Sequence, residues 1–197
     1  MNLGKALLIV LLVVFAGMIV VGCSVIGGYN KAISMDEEVK AAWAQVENQL
    51  QRRYELIPNL VETVKGVAGQ EKDVFLGIAK SREAYFQAKG VSEKAKAAGA
   101  MESALSRLLV LNEKYPQLKS NESFLKLQDS LEGTENRLAV ERKRYNDAVK
   151  RLNAFTRRFP GSFYASLAGV HKAEYFKVAE AAKAAPKVDF SHPAPQP

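Results

Sequence analysis

The sequence has few reactive side chains. Of its 197 residues one is cysteine and two are histidine. A single cysteine excludes an intramolecular disulfide. His171 and His192 have neither a second histidine nor a cysteine at ligand spacing, and Cys23 is far from both, so no metal site is expected. A glycine-rich phosphate loop and a serine elbow are also missing. The basic residues are not interleaved with aromatic ones as base stacking requires, which excludes nucleic acid as a partner. Acidic pairs are present, but Glu37-Glu38 belong to a helix start and Glu132 and Glu135 flank Gly133 on a helix surface. Paired carboxylates do acid-base work only when a cleft shifts their pKa values. No enzymatic activity, cofactor or small-molecule substrate is expected.

Charge is absent from one place in particular: no ionisable side chain other than Cys23 and Tyr29 lies between Lys5 and Lys31. Ala6 to Val21 is unbroken apolar sequence, and Ala6 to Ile26 is about 20 residues, enough for a hydrocarbon core about 30 Å thick. Behind Lys5 and the terminal amine this is the layout of a secretory signal or a membrane anchor. Val20-Val21-Gly22-Cys23 resembles a lipobox, with Val20 in place of the usual leucine. Two anchors stay open, a lipoprotein acylated at Cys23 and an uncleaved transmembrane helix. Both place the rest of the chain at a membrane on the extracytoplasmic side, periplasmic or extracellular.

What remains is helix-forming and basic. The formal charge is +7, spread along helices and interleaved with glutamate, which reads as a solvated surface. Ser34 with Glu37 forms a capping box, and Asp36, Glu37 and Glu38 favour a helix N-terminus. Two seven-spaced rows follow: Val39, Val46, Arg53, Leu60, Val67 and Val74, then Trp43, Leu50, Ile57, Val64, Glu71, Ile78 and Tyr85. They make a bundle seam that keeps phase through Pro58, where a proline should kink the helix without ending it. A break is expected around Gly90, with Ser92 as the next cap. A second helix then runs through Met101, Leu105, Leu108 and Leu111 to about Tyr115, where Pro116 stops it. A third starts near Ser120 to Ser123 and carries Phe124, Leu131, Leu138, Tyr145, Leu152 and Phe159 at seven-residue spacing. The expected fold class is an all-α, elongated antiparallel bundle of long helices with an N-terminal membrane segment.

Arg53 falls on the seam, where a charge is costly unless paired. Glu141 and Glu135 are its leading partners, and the pair would fix the register between long helices. The basic cluster Arg142, Lys143 and Arg144 and the pair Arg157 and Arg158 read as charged helix exterior.

Val39 to Ala68, VKAAWAQVENQLQRRYELIPNLVETVKGVA, resembles the signature of the LemA family of bacterial membrane-associated proteins. Matching runs follow from Asn112 to Asn153, at RRFP, and at APKVDF from Ala185 to Phe190. The resemblance covers nearly everything from Tyr29 to Phe190. It implies a membrane segment followed by an antiparallel helical bundle outside the cytoplasm, with a structural or scaffolding part in the envelope, and it carries over no catalytic residues. Cys23 after the apolar segment departs from relatives that keep a plain transmembrane helix. The expected organisation is an anchor or signal at 1–28, a bundle at 29–160, a strap at 161–190 that packs on the bundle, and a disordered tail at 191–197. Such a protein would bind other envelope proteins or itself. The alternative is a membrane-shaping or anionic-lipid-binding protein that uses a basic helix surface.

Overall fold

The computed structural model describes residues 3–177 of the chain. Part of the expected strap, residues 178–190, the tail at 191–197 and His192 lie outside the described residues. Those described are helical for most of their length, with no strand among them. The order is α1 (Leu3–Ala68), α2 (Lys72–Gln87), α3 (Gly90–Lys114), a single turn α4 (Pro116–Lys119), α5 (Glu122–Arg157) and a short α6 (Gly161–Leu167). The described residues divide into two compact units, 3–48 with 139–174 and 49–138 with 175–177.

In the first unit α1 and the C-terminal part of α5 run antiparallel. The Lys31 ammonium stands 5.8 Å from the centre of the Phe155 ring. About two turns further along α1, Glu38 pairs with Arg151, and then Trp43 meets Tyr145 with ring centres 5.3 Å apart. Each step forward on α1 is a step back on α5. The buried side chains of these stretches are Ala32, Val39 and Val46 on α1 and Tyr145, Ala148, Val149 and Leu152 on α5. Helix α6 ends at Leu167 with Ala168 as its C-cap, and Gly169 just beyond takes φ 68°, the left-handed conformation in which a glycine stops a helix. The Val170 N–H donates back to the Ala165 carbonyl at 2.9 Å. Residues 170–174 then return along α5. Asn153 clamps them with both ends of its amide, donating to the Ala173 carbonyl and accepting from the Ala173 N–H at 2.9 Å each.

In the second unit α1 continues with Leu50, Tyr54, Ile57, Leu60, Val64 and Ala68 buried. The chain reverses at residues 69–71, and α2 folds back along α1: Lys65 stands over the Phe75 ring and Tyr54 meets Tyr85 at 4.3 Å between ring centres. A second reversal at Ala88-Lys89 lays α3 antiparallel to α2, with Lys94 over the Tyr85 ring and Lys114 reaching Glu71. Gly90 takes φ 74° at that reversal, a conformation that costs glycine nothing. Pro116 opens α4, where its missing N–H is not needed. Asn121 caps α5, its side-chain oxygen accepting from the Phe124 N–H at 3.0 Å. From α5 this unit buries Phe124, Leu131, Thr134 and Leu138.

The fold is thus all-α and built of long antiparallel helices. Three local expectations are corrected. Ser34 does not start a helix, because α1 is already helical from the apolar segment onward and propagation adds a bond per residue once the nucleus exists. Asp36 and Glu37 of the supposed cap bind Lys40 on the helix surface instead. The first reversal comes at residues 69–71 rather than near Gly90 alone. Finally, Phe159 is not on the seam: α5 ends at Arg157, the heptad ceases to apply, and Phe159 is 88% exposed.

Candidate membrane-proximal site

Arg53 and Glu135 are brought together. Nη1 of Arg53 contacts Oε2 of Glu135, with the arginine side chain 11% exposed and the glutamate 30%. Glu141, the other candidate partner, is corrected: it pairs with Arg144 at 2.8 Å, three residues along its own helix. Pro58 lies in the interior of α1 on its exposed side, where water can reach the carbonyl that lacks a donor. Cys23 is exposed on α1.

Groups with shifted acidity have structural explanations. Glu71 accepts from Lys114 at 2.6 Å and from the Tyr115 hydroxyl at 2.8 Å. These bonds, the lysine's first, hold its carboxyl below the usual range, and the same contact raises Lys114. Gln70 completes the cluster by donating to the Tyr115 hydroxyl. Lys40 is raised by Asp36 and Glu37. The Tyr145 hydroxyl donates to the Glu174 carbonyl at 2.6 Å, and burial, helped by the Glu174 charge, pushes its pKa up to about 12. No cluster of three or more His, Cys, Asp or Glu side chains at metal-binding distance occurs among the described residues.

The most site-like feature lies where α1 leaves its apolar segment. The described side chains from Leu7 to Val21 are all exposed, so none of the described residues covers them. Helix α6 docks just past this stretch. The Tyr164 ring lies so close to α1 at Gly28 that a Cβ there would overlap it, and its hydroxyl shares a hydrogen bond with the Ser24 hydroxyl at 2.8 Å. Gly161 permits the turn into α6, since a Cβ at this position would stand 2.5 Å from the Phe155 carbonyl oxygen. An open cavity of about 620 Å³ lies between these elements. Lys31, Arg151 and Arg158 supply its cations, and Phe155, Phe159 and Tyr164 its aromatic walls. Arg151 is neutralised by Glu38 and Lys31 leans on Phe155. Positive charge beside aromatic surface suits an anion with an apolar body. The sequence hinted at this place only through Gly27-Gly28 directly after the apolar run; the pairing with Tyr164 depends on a reversal of the chain that no local pattern reveals.

A family model described as LemA family matches residues 42–190. Magnetosome proteins MamQ 2 and MamQ 1 of Paramagnetospirillum magneticum are each 27% identical over 175 residues, covering 76% of this chain and 64% of theirs. Magnetosome protein MamQ of Magnetospirillum gryphiswaldense is 26% identical over 174 residues, covering 75% and 64%. The chain therefore spans a little under two thirds of the length of these relatives. Taken with the apolar segment of α1, the match marks a membrane-associated envelope protein.

Proposed function

This chain belongs to the LemA family, and we propose that it is a non-catalytic helical scaffold of the bacterial envelope, anchored by its N-terminal segment and acting through contacts with other envelope proteins or with itself. The observation that carries this reading is the continuity of α1 from Leu3 to Ala68, which joins an uncovered apolar segment to long antiparallel helices. Side faces of such helices suit helix-in-groove and coiled-coil contacts. The pairs Arg53–Glu135, Lys114–Glu71 and Arg151–Glu38 join helices to one another, as a scaffold requires. In this reading the bundle lies on the extracytoplasmic side, held by the uncleaved helix or by acyl chains on Cys23. The mass of the protein extracted from membranes separates the two anchors, because lipoprotein processing removes residues 1–22 and adds a diacylglycerol.

Crosslinking of the full-length protein in cells at native level, followed by mass spectrometry, tests the scaffold. A reproducible set of envelope proteins supports it. Capture no richer than that of an untagged control overturns it. Crosslinks to itself and lipid alone favour the second reading, a lipid-binding or membrane-shaping role, for which the cations around the cavity at Lys31 and Arg158 speak. That role requires vesicle binding that rises with anionic lipid and falls with salt.

A further inference from the structure

Three large apolar side chains at one corner of the first unit are left uncovered. Phe159 is 88% exposed, and Phe163 and Leu167 are each 55% exposed. Phe163 and Leu167 are four residues apart and share one face of α6, while Gly161 and Ala165 on the opposite side are buried. Exposed apolar residues scattered singly need no explanation. These three are consecutive features of one reversal, and their height along α1 is fixed.

Tyr164, next to Phe163, is bonded to Ser24 and rests on Gly28. Ile26, the last residue of the apolar run, falls between them. At 1.5 Å per residue, a hydrocarbon core of about 30 Å that ends at Ile26 begins near Leu7, just inside Lys5. Gly28 then stands about 3 Å outside the core and Lys31 about 7 Å outside, within the headgroup layer. Because α5 runs antiparallel to α1 and places Phe155 beside Lys31, its last residues descend toward the bilayer. Arg157, Arg158 and Phe159 reach the level of the headgroups and α6 lies at the boundary below them.

We propose that the turn from α5 into α6 is a second membrane contact, an interfacial wedge in which Phe159, Phe163 and Leu167 enter the boundary between headgroups and acyl chains while Arg157 and Arg158 meet lipid phosphates. The bilayer is the occupant of this face for a geometric reason: the face is tied by hydrogen bond and van der Waals contact to the very turn of α1 that leaves the membrane. Aromatic rings at that depth, with cations directly above them, match the chemistry of the interface. The wedge rests on the anchoring of α1, and its test separates the two.

The full-length protein is reconstituted into vesicles of phosphatidylcholine and phosphatidylglycerol, with the phosphatidylcholine in plain or acyl-brominated form. Bromine quenches indole only near the acyl chains. The native Trp43 lies about 25 Å beyond Ile26 along α1 and serves as an unquenched reference. Phe163→Trp should lose roughly half of its added emission in brominated vesicles, as a ring at the headgroup–acyl boundary does. Phe159→Trp reports the same contact independently, and both positions are exposed, so neither substitution strains the fold. Ile26→Trp is the anchoring control. Quenching of Ile26→Trp with none at Phe163→Trp or Phe159→Trp overturns the wedge and leaves the anchor standing. No quenching at any of the three overturns both. Unquenched rings that crosslink to a second copy would assign the face to self-association instead.

Discussion

Replacing Arg53 by methionine tests the packing between α1 and α5 most directly. Methionine keeps the unbranched apolar stem and removes the charge, so what is lost is the pairing with Glu135. At an effective dielectric near 20, two unit charges about 4 Å apart attract by about 4 kcal/mol. Most of this is returned as desolvation, and a fully buried pair broken on one side costs about 3–5 kcal/mol. Glu135 keeps 30% of its side-chain surface in water, which lets the stranded carboxylate recover part of its hydration. The expected loss is therefore about 2 kcal/mol, above the roughly 1 kcal/mol ceiling of a surface pair. For a chain of this size that lowers the midpoint of thermal unfolding by about 4–8 °C. Far-UV circular dichroism of the detergent-solubilised full-length protein measures it. Glu135→Leu alone should cost at least as much, because the arginine it strands is less exposed than Glu135. The double variant should lose no more than either single one, a coupling of about 2 kcal/mol. Additive losses, or an Arg53→Met change below about 0.5 kcal/mol, would show a solvated pair that contributes nothing to register.

Further expectations follow from the first unit. Asn153→Ala removes both hydrogen bonds to Ala173 and should cost about 1–3 kcal/mol, with faster tryptic cleavage at Lys172; unchanged cleavage would mean that residues 170–174 are held by other contacts. Gly161→Ala sets a Cβ against the Phe155 carbonyl, a backbone atom that yields only if the end of α5 shifts, and should destabilise by about 1–3 kcal/mol in the same melt. The contribution of Tyr145 to stability should be level below pH 10 and fall between the ordinary tyrosine value of 10.0 and about 12. In that window the unfolded chain gives up the Tyr145 proton while the folded chain keeps it, so rising pH favours unfolding. Tyr145→Phe, compared by denaturant unfolding across that window, should flatten this part of the slope.

The regular parts of the fold were legible because the helix period reports burial one residue at a time. Val46, Leu50, Ile57, Leu60 and Val64 on α1, and Phe124, Leu131, Leu138, Tyr145 and Leu152 on α5, are buried where the seven-residue rows place them. The first reversal was hidden by the same regularity. Residues 69–71 take the chain around without breaking the count, so Ile78 and Tyr85 continue the row of Val64 although they belong to a helix running the other way. Gly69 lies in this reversal, but it lacks the positive φ that marks a glycine stop. Two glutamates were open as partners of Arg53 because the choice depends on the register between α1 and α5. Connections far from both residues set that register. Glu141 has Arg144 one turn away, and this local pairing is the kind of competition a seam pattern ignores. The membrane-proximal corner was least legible, since Ser24 and Tyr164 are 140 residues apart and neither belongs to a periodic run.

Helix α1 leaves the apolar segment and reaches its first buried residue, Ala32, without an interruption. A flexible tether would let the packed helices swivel freely about the anchor. A continuous helix instead transmits rotational phase. Each added residue turns everything beyond it by about 100°, so one alanine inserted after Ile26 would carry the whole packed face of α1 about a quarter turn around the bilayer normal. Seven added residues would restore the original azimuth to within about 20°. If α1 is kept whole as the anchor proposed above, it does more than hold the protein at the surface: it sets the compass direction in which each side of the first unit looks.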